Sequence, residues 1–203
     1  MIYKVLNLYA GIGGNRKLWN DVKVTAVEWV PEIAQIYRDF FPNDEVIETD
    51  AHQFLLENFQ DYDFIWSSPP CPTHSRARFW GWKTTKPAFP NMMLYEEIIF
   101  LDNYFDKKYC VENVKSYYIP LVKPQELGRH YFWTNFEIRK TRVKKTIHDG
   151  IGELQDRKEF DLSKYKNIDK RTILRNCVEP ELGQIILDSA RGNTQRKLFD
   201  FWG

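Results

Sequence analysis

Short apolar runs alternate with helix-length spacers along the first half of the chain. Tyr3 to Tyr9 (YKVLNLY) predicts a strand that ends in the glycine-rich turn Ala10-Gly11-Ile12-Gly13-Gly14, with helix signals continuing through Trp19. Lys23 to Trp29 predicts a second strand. Pro31 then stands at the favoured first position of a helix whose apolar face is Ile33, Ile36, Tyr37 and Phe40. Glu45 to Glu48 predicts a brief third strand, and Tyr62 to Ser67 a fourth, stopped by Pro69-Pro70. A helix over Met92 to Tyr104 leads into a strand at Lys108 to Glu112. Strands spaced by helices in this way predict parallel βαβ units: an α/β fold with a twisted, mostly parallel sheet and helices on both faces. After Gly128, HYFWTNFEI predicts a further strand at the antiparallel end of the sheet. Arg139 to Arg171 is polar with weak periodicity, and an amphipathic helix over Glu179 to Ala190 closes the pattern. No internal repeat or interdomain linker interrupts it, so residues 1–203 are expected to form a single domain.

Composition narrows the class. At 43% hydrophobic and 28% charged residues the chain reads as globular, and no run of 18 apolar residues predicts a membrane-spanning helix. The N-terminus lacks a charged region followed by a cleavage site, so no secretory signal is expected. Three cysteines, Cys71, Cys110 and Cys177, are too few and odd in number for a disulfide framework, and they suit a reducing cytoplasm. The net charge of +1 does not by itself mark a nucleic-acid binder, but its distribution is uneven. From Arg139 to Arg171 eleven Lys/Arg face six Asp/Glu, and between Arg76 and Lys86 the only charges are basic. Such clusters are either solvated faces or phosphate contacts.

Doubly wound sheets bind ligands beyond the carboxyl ends of their strands, and four segments end there. The glycine turn lets backbone approach a ligand closely. Glu28, at the end of the second strand, can accept both hydroxyls of a ribose, and the Trp29 indole beside it can stack on an adenine. Asp50, past the third strand, can accept from an exocyclic amine. Each acid alone could be a surface residue or a helix cap; in series they favour a nucleoside-bearing ligand. The fourth segment, Ser67-Ser68-Pro69-Pro70-Cys71-Pro72-Thr73-His74-Ser75, sets a cysteine on a proline-stiffened loop. Forty-one residues later Glu112-Asn113-Val114 puts a carboxyl group at the end of the next strand, making a thiol and a proton donor a candidate catalytic pair.

These residues resemble the motifs of the S-adenosylmethionine-dependent DNA (cytosine-5-)-methyltransferase family, in the family's order from Val5 to about Ala190. Asn7 to Gly14 resembles the first motif, with Asn7 where an Asp is usual; Pro70-Cys71 resembles the nucleophile motif, and Glu112-Asn113-Val114 the ENV tripeptide. Gln125 and Arg129 resemble the Gln-x-Arg-x-Arg motif, with Leu127 in the first arginine position. Arg175-Asn176-Cys177-Val178 resembles the late motif that returns to the cofactor. The resemblance implies a Rossmann-like class I methyltransferase fold and S-adenosylmethionine as cofactor, without a metal. Tyr9, Ala10, Gly11, Ile12, Gly13 and Gly14 would hold its methionine part, Glu28 its ribose, and Trp29 and Asp50, with Ala51, its adenine; Pro70, Asn176 and Val178 would complete the pocket. It also implies that the Cys71 thiolate adds to carbon 6 of a cytosine, which makes carbon 5 nucleophilic. Glu112 would deliver a proton to N3, with a pKa expected to be raised by partial burial. Arg129 would favour the thiolate, and Asn113 would buttress the loop. The base must leave the duplex to reach the pocket.

The stretch after the nucleophile suits that requirement. Ser75, Arg76, Arg78 and Lys83 can hold phosphates while Trp80 or Trp82 fills the gap left by the base, as a mobile loop; the same aromatics could equally pack on the sheet edge. The chain departs from the family in one respect: only about forty-six residues separate Arg129 from Asn176, too few for an independent target-recognition domain. A minimal basic insert at about 139–171 would stand in its place. Recognition would then be very short or relaxed, or supplied by a partner subunit, or the substrate would be RNA. A methyltransferase for exocyclic amines would carry an aromatic residue where Cys71 stands, and a non-catalytic subunit would be expected to have lost Cys71 or Glu112. The reading is an active, cytoplasmic DNA methyltransferase of bacterial or phage type; restriction companion, epigenetic mark and viral self-protection would look alike at this level.

Overall fold

A computed structural model describes residues 2–76, 89–139 and 150–192. Seven strands form one sheet in the order β3-β2-β1-β4-β5-β7-β6. β1 is Tyr3–Leu8, β2 Val22–Val27, β3 Glu45–Ile47, β4 Phe64–Ser67 and β5 Lys108–Val114, and these five run parallel. β7 (His130–Thr134) is antiparallel to both β5 and β6 (Gln125–Leu127). The helices are α1 (Pro31–Phe40), α2 (Ala51–Asn58), α3 (Met93–Tyr104), α4 (Ile151–Lys158), α5 (Lys170–Asn176) and α6 (Pro180–Gly192). This is the α/β architecture, a mostly parallel sheet with helices on both faces, expected from the alternation of strands and helices, and it has the Rossmann-like form.

Period-two alternation buries both faces of the sheet. Leu6, Leu8, Ile65, Tyr109, Val111, Tyr131 and Trp133 point into a core closed by Leu55 of α2 and by Leu94, Ile98 and Leu101 of α3. Val5, Val24, Phe64, Trp66, Cys110 and Phe132 point to the other side, onto Leu182, Ile186 and Leu187 of α6. α1 starts with Pro31 at its N-terminus, as expected, and buries Ala34, Ile36 and Tyr37.

Several elements differ from the pattern read along the chain. No helix follows the glycine turn. Instead Gly13, Arg16, Lys17 and Trp19 each donate their N–H to the carbonyl three residues back, a chain of tight turns. Gly13, at φ +86°, breaks any helical run, and Arg16 is held by paired bonds of 2.7 and 3.0 Å to Asp44. β2 ends at Val27, two residues early, because Glu28 turns its carboxyl back to the Gly11 and Val30 N–H groups. β5 runs on through Val114, since β7 pairs with its end. The HYFWTNFEI strand covers only His130–Thr134, and it is not the sheet edge. β6 lies outside it, joined through the two-residue turn Gly128-Arg129 with Gly128 at φ +60°.

The stretch from Arg139 to Arg171 contains more structure than its weak periodicity suggests. Leu154, Phe160 and Leu162, with Leu174 of α5, form a buried cluster on Ile12 and Ile36, and Phe40 and Phe41 pack against it. Phe160 meets Phe40 edge-on at 4.8 Å. The helices are too short to display a repeat, so a few apolar anchors do the packing. Within the expected basic insert, Leu154, Phe160 and Leu162 anchor the described part to α1, while most residues around them are exposed.

α6 docks where glycine leaves room. A Cβ on Gly183 would fall on the Asn15 backbone. Asn15 is itself fixed by a reciprocal amide pair with Asn7, with bonds of 2.7 and 3.4 Å. Gly183→Ala is expected to lower stability by about 1–3 kcal/mol through overpacking. Gly152→Ala, at a helical site with nothing near an added Cβ, is expected to raise it by about 0.5–1 kcal/mol. Denaturant midpoints of the two variants check the contrast.

Candidate active site

Parallel strands that end together bring the residues after β1, β2, β3, β4 and β5 to one edge. The glycine turn lies at the end of β1, with Tyr9 at φ +54° and Gly11 at φ +56°. Gly11 donates its N–H to Glu28 Oε2 at 2.9 Å, while Glu28 Oε1 accepts from Val30 N at 3.0 Å. Trp29, beside it, is 71% exposed. Asp50 caps α2 by accepting from Gln53 N at 2.8 Å, and Ala51 behind it is buried. A Cβ on Gly11 would meet open space. The half-buried acid, the exposed indole and the open glycine turn therefore fit the ribose, adenine and methionine parts of S-adenosylmethionine.

The late motif folds back to the same place. A Cβ on Gly14 would collide with Cys177 Sγ and the Val178 carbonyl. Val178 is buried there, while Asn176, the last residue of α5, is exposed. Burial pushes the Cys177 thiol up to about 11, which leaves it neutral. Ala10, Ile12 and Gly13 are buried at the base of the turn.

After β4, the Cys71 loop is tied down at several points. The Cys71 carbonyl accepts from His74 N at 2.9 Å and Ser75 N at 3.1 Å. Buried Asn113, on β5, donates its side-chain amide to the Pro69 carbonyl at 2.9 Å. Ser75 bridges to Ser116, and exposed Arg76 donates Nε–H to the Ser116 carbonyl at 3.1 Å. Pro70 is exposed and Cys71 half-buried. Arg78, Trp80, Trp82 and Lys83 lie outside the described residues.

The electrostatics of the thiol correct one expectation. Burial, followed by the charge of Glu112, pushes the Cys71 thiol above its ordinary range. Arg129 sits exposed in the β6–β7 turn. The resting residue is a thiol rather than a preformed thiolate. Glu112, buried near the end of β5, is hydrogen-bonded by His130 Nδ1 across the sheet.

A second carboxyl group at this edge has no counterpart in the motifs. Glu97 of α3 is fully buried; Tyr9 O–H donates to it at 2.6 Å, Ser67 O–H at 2.5 Å, and His52 Nδ1 lies 3.1 Å away. Three partners offset the desolvation of the acid. They also tie α2, α3, β4 and the glycine turn into one unit. His74 is likewise buried, with Nδ1 2.6 Å from the Tyr118 hydroxyl, and burial lowers its pKa. Glu97, His52, His74 and His130 escaped the sequence reading because each depends on partners 18 to 88 residues away. The available signal was only that each is a polar residue inside an otherwise apolar element or beside a motif.

The His52 imidazole sits between Glu97 and Glu96, and its bond to Glu97, more than offsetting burial, raises its pKa above 6.5. A raised histidine pKa means that the folded state holds the proton more tightly. The stabilisation is fully present below the unfolded pKa and is lost as pH rises through the folded one. Thermal melts are expected to show falling stability as pH rises from about 6.5, and His52→Gln is expected to flatten that slope.

The profile of the C-5 cytosine-specific DNA methylase family matches residues 3–119, more than half of the 203 residues. Among solved structures, the chain is similar to yhhF of Escherichia coli at 17% identity, over 66% of this chain and 75% of that one, with a TM-score of 0.42. It is similar to DNMT2 of Spodoptera frugiperda at 28% identity, over 56% of this chain and 36% of that one, with a TM-score of 0.40. A SAM-dependent methyltransferase of Agrobacterium tumefaciens matches at 15% identity, over 58% of this chain and 40% of that one, with a TM-score of 0.37. No curated protein matches the chain. With the glycine turn, the cysteine loop and the Glu112-Asn113-Val114 strand end all inside the matched span, this chain belongs to the C-5 cytosine-specific DNA methylase family.

Proposed function

We propose that the protein methylates carbon 5 of cytosine in DNA, with Cys71 as nucleophile and Glu112 as acid. The observation that carries this reading is the junction of β4 and β5. Asn113 holds the Pro69 carbonyl at 2.9 Å, and the charge of Glu112, the residue before it on β5, acts on the Cys71 thiol. Thiol and acid thus flank a single space at the edge of the sheet.

Each residue then has a task set by the chemistry. Cys71 loses its proton and bonds to carbon 6 of the flipped cytosine. Glu112 gives a proton to N3, so that the added electron pair leaves carbon 5 as an enamine carbon. Asn113 and the prolines keep the sulfur at the reacting distance. Tyr9 to Gly14, Glu28, Trp29, Asp50 and Ala51, with Pro70, Asn176 and Val178, would hold S-adenosylmethionine, which when bound supplies an electrophilic methyl group. Transfer of the carbon 5 proton to water re-forms the ring double bond and expels the Cys71 sulfur as a thiolate, which takes a proton back from water, while N3 returns its proton to Glu112. Ser75, Arg76, Arg78, Trp80, Trp82 and Lys83 would contact the nucleic acid. We take residues 1–203 as a single catalytic domain with its basic segment at about 139–171 serving non-specific phosphate contact. Leu154, Phe160 and Leu162 of this segment are engaged in packing onto α1, which supports relaxed recognition or a recognition subunit.

Incubation with labelled S-adenosylmethionine and DNA or RNA tests the reading. Label is expected in 5-methylcytosine of DNA, falling by about a thousandfold or more in Cys71→Ala. Label in N4-methylcytosine or N6-methyladenine would overturn it, and label confined to RNA would replace DNA as substrate. Because the thiol is pushed up, its thiolate fraction grows as pH rises. Trapping of Cys71 by a 5-fluorocytosine oligonucleotide is expected to quicken by up to about tenfold per pH unit below the thiol's pKa.

A further inference from the structure

The acid in this site has a partner that none of the motifs names. His130 is the first residue of β7, and because β7 runs antiparallel, its beginning lies against the end of β5. In the register Glu112 faces Phe132 and Val114 faces His130, so His130 and Glu112 are diagonal neighbours on the same face of the sheet. Nδ1 of His130 is bonded to Oε1 of Glu112. The imidazole lies nearly parallel to the Phe132 ring, at 23° and 6.2 Å, which fixes its plane. The glutamate side chain is 8% exposed and the histidine 22%, so the ring is the wetter of the two and stands between the buried acid and solvent. Among the described residues, His130 is the one hydrogen-bond partner of the Glu112 side chain.

We propose that His130 is the proton partner of Glu112: it orients the carboxyl toward the cytosine and restores its proton after each turnover. This rests on the reading of Glu112 as the acid that protonates N3. With the ring proton on Nδ1, the imidazole donates to Oε1, and the carboxyl carries its own proton on Oε2. As Cys71 adds to carbon 6, the Oε2–H bond breaks and an N3–H bond forms. The carboxylate left behind keeps the hydrogen bond from Nδ1. When the thiol is eliminated, N3 gives its proton back to the carboxylate. If that proton is lost to water instead, Nε2 of His130 takes a proton from solvent and the resulting imidazolium passes Nδ1–H to the carboxylate, which leaves the ring neutral with its one proton on Nε2; release of that proton to water with uptake at Nδ1 restores the starting tautomer. Protons and charge balance in both routes, and no further reagent is needed.

The other ionisable groups around the pair come from each neighbouring element. Cys71 faces Glu112 from the loop after β4, and Cys110 lies on the same face of β5, fully buried, with its thiol pushed far up. Lys115, just past β5, is engaged by Glu126 of β6 at 2.6 Å. Arg129 precedes His130 in the turn and is exposed. His130 alone of these groups joins the acid by a hydrogen bond, and its imidazole has one nitrogen on the acid and a second free to exchange a proton with solvent.

The test compares wild type, His130→Asn, His130→Gln and Glu112→Gln. Asparagine keeps a donor near the Nδ1 position but cannot take up a proton. Wild type is expected to form the 5-fluorocytosine adduct at Cys71, and His130→Asn to lower kcat by about 10- to 100-fold. The KM for DNA and cofactor binding are expected to change by less than about threefold. Activity of His130→Asn is expected to fall off at lower pH than that of wild type, a readout that loss of packing alone would not move. In 15N-histidine-labelled wild type, the His130 Nδ1 resonance is expected to shift on Glu112→Gln, a measurement that does not depend on any His130 variant folding. Wild-type kcat and pH profile in folded His130→Asn or His130→Gln, or a resonance indifferent to Glu112→Gln, overturns the proposal. Should wild type itself form no adduct, the C5 chemistry fails, and this inference fails with it.

Discussion

Burial of a parallel sheet on both faces governs everything else in this molecule. Every strand interior is committed to packing: Leu6, Ile65 and Tyr109 toward α2 and α3, Val5, Phe64 and Phe132 toward α6. Polar chemistry is thereby driven to the one place where the strands stop together. The glycine turn, Glu28, Asp50, the Cys71 loop and Glu112 all lie on that edge because five strands share a direction.

The edge is not a row of independent side chains. Two carboxyl groups anchor it, each with a histidine partner. Glu97 joins His52, Ser67 and Tyr9 below the glycine turn, and Glu112 joins His130 near the Cys71 loop. The first cluster makes the turn's position depend on α2, α3 and β4 at once. The second couples the acid to a residue on the reversed strand. Asn113 ties β5 to the Cys71 loop by holding the Pro69 carbonyl. Charge that would be costly in the core is tolerated at the edge because every such group is met by donors.

Close approach explains how the later part of the chain joins this frame. Gly14 and Gly183 remove the Cβ atoms that would hold Cys177 and α6 away from the first loop. Leu154, Phe160, Leu162 and Leu174 then cover α1. A segment whose charge suggested a free basic face thus commits Leu154, Phe160 and Leu162 to a third cluster; Lys164 stays on the outer side, where it pairs with Asp39 at 2.9 Å, while Lys158 is buried against the Cys177 carbonyl.

Local order was written in the sequence. The apolar runs of β1, β4 and β5, the Pro31 start of α1, the cysteine among prolines and the Glu112-Asn113-Val114 strand end could all be read from neighbours within a few positions, since periodicity and proline geometry act over that range. Tertiary structure alone decided the rest. Tight turns replaced the helix after Gly14 because Arg16 is held by Asp44 and Gly13 adopts a positive φ. A hairpin put β6 outside β7, and the reversal of β7 set His130 diagonally across from Glu112. The partners of Glu97 likewise converge from α2, β4 and the first loop. A hydrogen bond between residues far apart in the chain leaves no period and no spacing behind it, and only the folded register brings its two atoms together.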